Sequence, residues 1–408
     1  MDYIPREIEA EFRATCAEYP VVLVTGVRQA GKSTMLEHFL EEGRRRVTLD
    51  DLEERALARE DPEFFLQSHR PPVFIDEVQY APELFPYLKI YADRNPDEMG
   101  AVWLTGSQPF ALMELAGESL AGRVGILHLL PLSQGEAHGD AVPTPLDFDL
   151  DALEERARHR EPATVEEMDE RIWRGSMPAV VSGRHTDPAR FYRNYQQTYI
   201  ERDVREVDGA AGLVDFSRFM RAAAAQVGQL LNVESLARDV DIPRRKAQEW
   251  LGILERSDVV FLLQPYSNNA LSRAVKTPKL YFTDTGLAAW LGRWTSPASM
   301  SARAKGGDLF ENYVVSEVRK SLNNAGQGAE LWFYRDRDAK EIDLVIERDG
   351  ALTPIEVKRG ASPRRSASSA FGLLDRSGLE RSTGAVVCMK ERVGYASRDR
   401  LYVPVWLL

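Results

Sequence analysis

The sequence predicts an α/β fold: a parallel sheet carrying a phosphate-binding loop, then mostly helical segments, then a second α/β domain. Three observations lead there. Val21 to Thr25 is an apolar, mostly β-branched run that meets Gly26, the pattern of a buried parallel strand. Gly26-Val27-Arg28-Gln29-Ala30-Gly31-Lys32-Ser33 follows as G-x-x-x-x-G-K-[ST] at full spacing and opens a helical run from Thr34 to Leu40. Towards the other end, an acid-bearing strand pattern, Glu341 to Glu347, precedes a second one that ends in Glu356-Val357-Lys358.

The loop sets the first chemistry. Glycines let backbone fold closely around phosphate oxygens, and the amides of residues 26–34 then face the anion. Lys32 is expected on the β- and γ-phosphates and Ser33 on Mg²⁺, with Gly26, Arg28, Gln29, Ala30, Gly31 and Thr34 completing the cradle. The cofactors implied are ATP and Mg²⁺.

Composition sets the bounds. The chain has 408 residues, 44% hydrophobic and 28% charged, which suits a soluble protein of several domains. A formal net charge of −11 argues against a protein that coats nucleic acid wholesale and leaves room for a local basic face. Cys16 and Cys388 form no C-x-x-C pair, so neither a zinc site nor a disulfide framework is expected. There is no secretory h-region at the start and no apolar run of membrane-spanning length. The expected location is the cytoplasm.

In chain order, residues 3–19 read as a helix leading into the loop strand. Arg46 to Asp51 is a short strand, Leu52 to Gln67 a helix, and Val73 to Val78 a strand ending in Asp76-Glu77. An apolar strand ending in two acids after a P-loop is a Walker B arrangement. Asp76 would hold the Mg²⁺ shell and Glu77 would polarise the attacking water. Gln79 and Tyr80 either touch this site or start the next helix, Pro82 to Arg94. The strand Ala101 to Ser107 ends where ATPases with an inserted central strand carry a γ-phosphate sensor. Ser107 is the candidate, with Thr105 and Gln108 behind it; Ser107 as a helix N-cap is the other reading. Arg123 stands just before the strand Val124 to Leu132. It is read either as an arginine finger for a neighbouring subunit or as a structural ion pair.

Gly26 to Thr34, Phe74-Ile75-Asp76-Glu77-Val78-Gln79 and Leu104-Thr105-Gly106-Ser107-Gln108 together resemble the bacterial and archaeal AAA-type ATPases that carry a C-terminal domain of unknown function. The resemblance continues in Tyr199 to Val204, in Lys279 to Leu287 and in Phe310-Glu311-Asn312, and so covers nearly the whole chain. It implies an ATPase core over residues 1–138.

Residues 139–209 read as an acidic linker and a helical lid, with Arg174 and Arg202 as candidate lid arginines. The stripe Tyr192, Tyr195, Tyr199 reads as core. Residues 210–270 have the order of a winged helix: Phe216 to Val227, a helix opened by Asn232 as cap, a turn, and a helix starting at Arg244-Arg245-Lys246. Those three basic residues are candidate DNA contacts; a lid or protein contact is the alternative. Residues 271–305 read as a connector.

Residues 306–408 form the second centre. A helix with Glu311, a strand Leu331 to Arg335, a strand with Asp343 and a strand with Glu356 and Lys358 resemble, in that order, the PD-(D/E)xK nuclease fold. Residues two apart on a strand share a face, so Glu356 and Lys358 can meet Asp343 and Glu311. Three carboxylates would hold one or two Mg²⁺, and Lys358 would stabilise developing charge.

The full expectation is a P-loop AAA-type parallel sheet with helical lid, winged helix and C-terminal PD-(D/E)xK nuclease-like α/β domain. It would act as an ATPase on DNA, assembled as a homo-oligomeric ring because a finger in trans needs a neighbour. Two alternatives are a nucleotide-dependent switch on a protein partner and a nucleotide-gated defence or toxin-like nuclease.

Overall fold

All six residues of β1 (Val21–Gly26) are buried, as the inner strand of a parallel sheet requires. In the computed structural model, which describes residues 3–107, 109–139, 146–200, 212–267, 276–301 and 306–408, this strand anchors the first of two compact units. That unit runs to Leu132 and includes the short stretch Arg256–Val259. Among the described residues its sheet has five strands, ordered β2 (Arg45–Thr48), β3 (Val73–Asp76), β4 (Val102–Thr105), β1, β5 (Val124–Leu129). Every pairing is parallel. β4 lies between β1 and β3, which brings the C-terminal ends of these strands side by side. Open parallel sheets bind ligands at that edge. Val21, Leu23, Ile75 and Leu104 pack in one core cluster with Leu84, Phe85 and Leu88; each such side chain contributes about 1.5–3 kcal/mol on burial.

Two helix expectations change. The first helix is shorter than residues 3–19 and spans Glu9–Glu18. The single helix expected over Leu52 to Gln67 is two, Leu52–Glu60 and Pro62–Ser68. Asp61 ends the first and caps the second by accepting from Phe64 N at 3.0 Å. Pro62 has no N–H to continue the first helix and suits the first turn of the next.

The second unit comprises Ser133–Glu255 and Val260–Leu408. It opens with helices that include Leu150–Arg158, Val165–Arg174 and Pro188–Tyr195, the last continuing into a π turn, Gln196–Ile200. Tyr192 and Tyr195 are buried, as their helical spacing suggests. Arg202, Gln108 and residues 201–204 of the Tyr199 motif lie outside the described residues. The helices Leu213–Ala224, Val233–Val240 and Arg244–Arg256 follow, and Asn232 Oδ1 caps the second by accepting from Ser235 N at 2.8 Å.

β6 (Val260–Pro265) and β7 (Lys279–Phe282) pair antiparallel, so the span read as a connector contributes a buried strand. Among the described residues they belong to a nine-stranded sheet with β8 (Glu330–Arg335), β9 (Glu341–Arg348), β10 (Ala351–Lys358), β11 (Glu380–Arg381), β12 (Gly384–Cys388), β13 (Gly394–Ser397) and β14 (Arg400–Pro404). The order is β13-β14-β12-β10-β9-β8-β6-β7, with β11 also on β10. β8, β9 and β10 form an antiparallel meander, and β12 joins β10 in parallel. The long helix Gly306–Asn324 buries Phe310, Tyr313 and Val314.

Candidate nucleotide site and carboxylate cluster

Gly26 ends β1 at φ +130, and a Cβ there would lie 2.2 Å from Leu129 O on β5, so the position needs glycine. Gln29 takes φ +63 and Gly31 φ +96, which turn the loop into the helix Lys32–His38. Ala30 is buried, Arg28 and Gly31 are half-buried, and Gln29 and Thr34 are exposed. Lys32 is buried, and its Nζ donates to Gly26 O at 3.0 Å and Val27 O at 2.9 Å. Burial, assisted by the nearby charge of Arg28, pulls Lys32 down to about 8; Glu77, Asp76 and Asp258 oppose that shift.

Ser33 Oγ donates to Asp76 Oδ1 at 2.8 Å, joining the loop to the end of β3. Thr105, at the end of β4, donates its hydroxyl to the same Asp76 oxygen and accepts from Glu77 N at 3.3 Å. Arg46 Nη2 reaches Asp76 Oδ2 at 3.2 Å. Glu77 adopts the left-handed conformation, φ +58, directly after the strand. Such backbone in a non-glycine residue costs about 1 kcal/mol or more. Its carboxylate accepts from Gln79 Nε2 and, at 3.3 Å, from Ser107 Oγ. The sheet thus gathers Ser33, Asp76, Glu77, Gln79, Thr105 and Ser107 at one edge.

Arg123 is elsewhere. Val124 pairs with Val21 and Leu129 with Gly26, so Arg123 lies at the opposite end of β5, about 20 Å away at ~3.3 Å per residue. It is ion-paired with Asp93 and donates to Ala121 O at 2.8 Å. It cannot reach its own chain's loop.

Two features escaped sequence reasoning. Arg6 is buried, and its guanidinium donates to Ala30 O at 2.8 Å and Leu130 O at 2.7 Å, bracing the loop against the end of β5. His128 on β5 hydrogen-bonds Asp258, whose charge is felt at Lys32. Neither residue sits in a motif, and only tertiary packing brings either to the loop.

In the second unit, Arg244, Arg245 and Lys246 open the helix Arg244–Arg256 as expected by position. Each faces an acid: Arg244 to Glu234 at 3.3 Å, Arg245 to Glu249 at 3.2 Å, Lys246 to Glu249 at 3.6 Å. Arg174 contacts Glu170 at 3.6 Å and Val180 O at 3.4 Å.

Glu311, Asp343, Glu356 and Lys358 do come together. Lys358 Nζ lies 2.5 Å from Glu356 Oε1 and 3.7 Å from Asp343 Oδ2, and Val357 N donates to Asp343 Oδ2 at 2.8 Å. The residue sequence reasoning missed is Lys279 on β7. Its Nζ sits 2.8 Å from Glu311 Oε1 and 2.5 Å from Glu341 Oε1, and Tyr281 OH donates to Glu311 at 2.6 Å. Burial alone would depress Lys279, but Glu311, Asp343 and Glu341 outweigh it and hold it above the usual lysine range. Burial and the neighbouring Asp343 raise Glu311 to about 7 and Glu356 to about 8. Among the described residues, no three carboxylate, histidine or cysteine groups are arranged to hold a metal ion. In place of a metal ion, an ammonium and a phenol meet Glu311 Oε1.

A Walker A loop joined to a Walker B strand across an inserted β4 defines a P-loop ATPase domain. Residues 18–138 match the family described as "AAA domain", and the chain thus carries an AAA-type, nucleotide-hydrolysing ATPase domain. Residues 165–298 and 306–408 match two families described as domains of unknown function, DUF8612 and DUF4143. Uncharacterized proteins of Mycobacterium tuberculosis and Mycobacterium bovis are each 29% identical over 375 residues, covering 91% of this chain and 77% of theirs. A Walker-type ATPase of Pyrococcus abyssi is 18% identical, with a TM-score of 0.43 over 71% of this chain and 96% of that chain. Among the described residues, no helix is long and apolar enough to cross a membrane.

Proposed function

We propose that this chain hydrolyses ATP with Mg²⁺ at the loop of residues 26–34, and that nucleotide state controls its engagement with DNA. The hydrogen bond from Ser33 to Asp76 carries the first part, because it pairs a hydroxyl and a carboxylate, the two oxygen donors that such a Mg²⁺ site uses. The donor set fits the ion. When bound, Mg²⁺ supplies charge neutralisation at the β- and γ-phosphate oxygens.

The chain's own residues do the rest. Lys32 exchanges the Gly26 and Val27 carbonyls for phosphate oxygens. Glu77 orients the attacking water and accepts its proton, and Gln79 and Ser107 fix its carboxylate. Arg123 serves the site of a neighbouring copy, a role consistent with its distance from its own loop, and the active form is then a homo-oligomer, a ring in our reading. The order of helices and the β6–β7 hairpin support a winged helix, and the meander with Glu356 and Lys358 supports a nuclease-like fold for residues 306–408.

Turnover measured with and without duplex, single-stranded and branched DNA tests the proposal, with electron microscopy in an ATP analogue reading the assembly. Arg123→Ala leaving turnover unchanged in a chain that stays monomeric with nucleotide sinks the shared site. The acids facing Arg244, Arg245 and Lys246 favour a second reading, a nucleotide switch acting on a protein partner. DNA affinity that is absent at low salt selects that reading.

A further inference from the structure

We propose that Lys279 is a resident cation of the Glu311–Glu341–Asp343–Glu356 cluster, standing where a divalent metal would stand and making the cluster metal-independent. β7 is buried at all four positions, yet it opens with a lysine that is only 2% exposed. An ammonium buried alone costs several kcal/mol, so its place must be matched by charge. The match is supplied by two separate elements: Glu311 from the helix Gly306–Asn324, and Glu341 from β9, at 2.8 and 2.5 Å. One ammonium thereby bridges carboxylates from a helix and a strand, which is the structural task of a bridging metal ion.

Charge counting agrees. Four carboxylates, Glu311, Glu341, Asp343 and Glu356, face three cations, Lys279, Lys358 and Arg335. One net negative charge remains, which a single proton neutralises. Glu356 Oε2 is the place for it: it is buried and, among the described residues, has no hydrogen-bond partner, while Glu356 Oε1 is held by Lys358. Without Lys279 the same cluster would carry two net negative charges, the complement of a divalent cation; Glu341 Oε1 would lose its ammonium and Glu311 Oε1 would keep only the Tyr281 hydroxyl.

Mn²⁺ titration of the nucleotide-free full chain, read by the electron paramagnetic resonance signal of unbound Mn²⁺, tests this. Wild type and Glu356→Gln are expected to bind the same amount. Lys279→Met is expected to gain one equivalent, at least tenfold tighter than any wild-type site, and to lose it again in Lys279→Met with Glu356→Gln. Wild type binding one Mn²⁺ more than Glu356→Gln overturns the proposal, and that comparison needs no substitution at Lys279. A Lys279→Met chain with wild-type near-ultraviolet circular dichroism and no added Mn²⁺ also overturns it.

Discussion

The hydroxyl of Ser33 donates to Asp76 Oδ1 at 2.8 Å, tying the phosphate loop to the end of the neighbouring β3. The pair costs little to lose in the fold, about 1 kcal/mol for one hydrogen bond. It should cost far more in chemistry, because both groups lie where Mg²⁺ is proposed to bind. Ser33→Ala is expected to reduce ATP turnover about 100-fold or more, within the range of removing a charge-stabilising group, with only a small shift in Tm. Steady-state turnover and a thermal melt on the same preparation check it. Turnover within threefold of wild type would place the metal elsewhere.

Glu77 is held by Gln79 and Ser107 on a backbone turned to φ +58. In the proposed mechanism this carboxylate orients the attacking water. Glu77→Gln keeps the shape and removes the proposed base, so kcat should fall about 10²–10⁴-fold. Nucleotide Kd should stay within a few-fold, read by fluorescence titration with a labelled ATP analogue. An equal loss in binding would reassign Glu77 to the nucleotide cradle.

Arg6 bridges Ala30 O and Leu130 O from inside the fold. Removing its guanidinium leaves both carbonyls to find other partners and loosens the loop. Arg6→Ala is expected to weaken ATP binding by about tenfold, the equivalent of ~1.4 kcal/mol. Arg6→Lys, with a single point charge and no fork, should recover only part of it. Unchanged affinity in a folded Arg6→Ala chain would show that the loop holds its shape unaided.

The contrast between Ser33 and Arg6 shows what was legible in the residues. The loop, Asp76 and Glu77 form local patterns whose spacing encodes their geometry, so strand, loop and helix were readable in order. Asp343 and Glu356-Val357-Lys358 were readable for the same reason, since alternation fixes which side chains share a face. Arg6, Asp258 and Lys279 act through contacts with residues far along the chain, and no local periodicity encodes that. Lys279 did leave one signal, a charged residue at the start of a strand that is otherwise wholly apolar, Leu280-Tyr281-Phe282. The split at Asp61-Pro62 was also visible in principle, because a capping acid before proline ends one helix and opens another.

Glu356 offers a pH signature. Burial, then the charge of Asp343, raises it from the ordinary glutamate range to about 8, against the pull of Lys358. A carboxyl raised in the folded state binds more protons folded than unfolded. Its stabilising contribution is therefore complete below about 4.5, the unfolded value, and is lost as pH rises through about 8. The slope is at most about 1.4 kcal/mol per pH unit for one such group. Glu356→Gln imitates the protonated form and removes the dependence. The variant and wild type should melt alike near pH 5, and the variant should be ahead by a few kcal/mol, ~2–4, near pH 9. Subtracting the two curves cancels the titrating groups that lie away from this cluster. Melting curves that run parallel from pH 5 to pH 9 would mean that the Glu356 carboxyl is ionised throughout, with Lys358 rather than a proton meeting its charge.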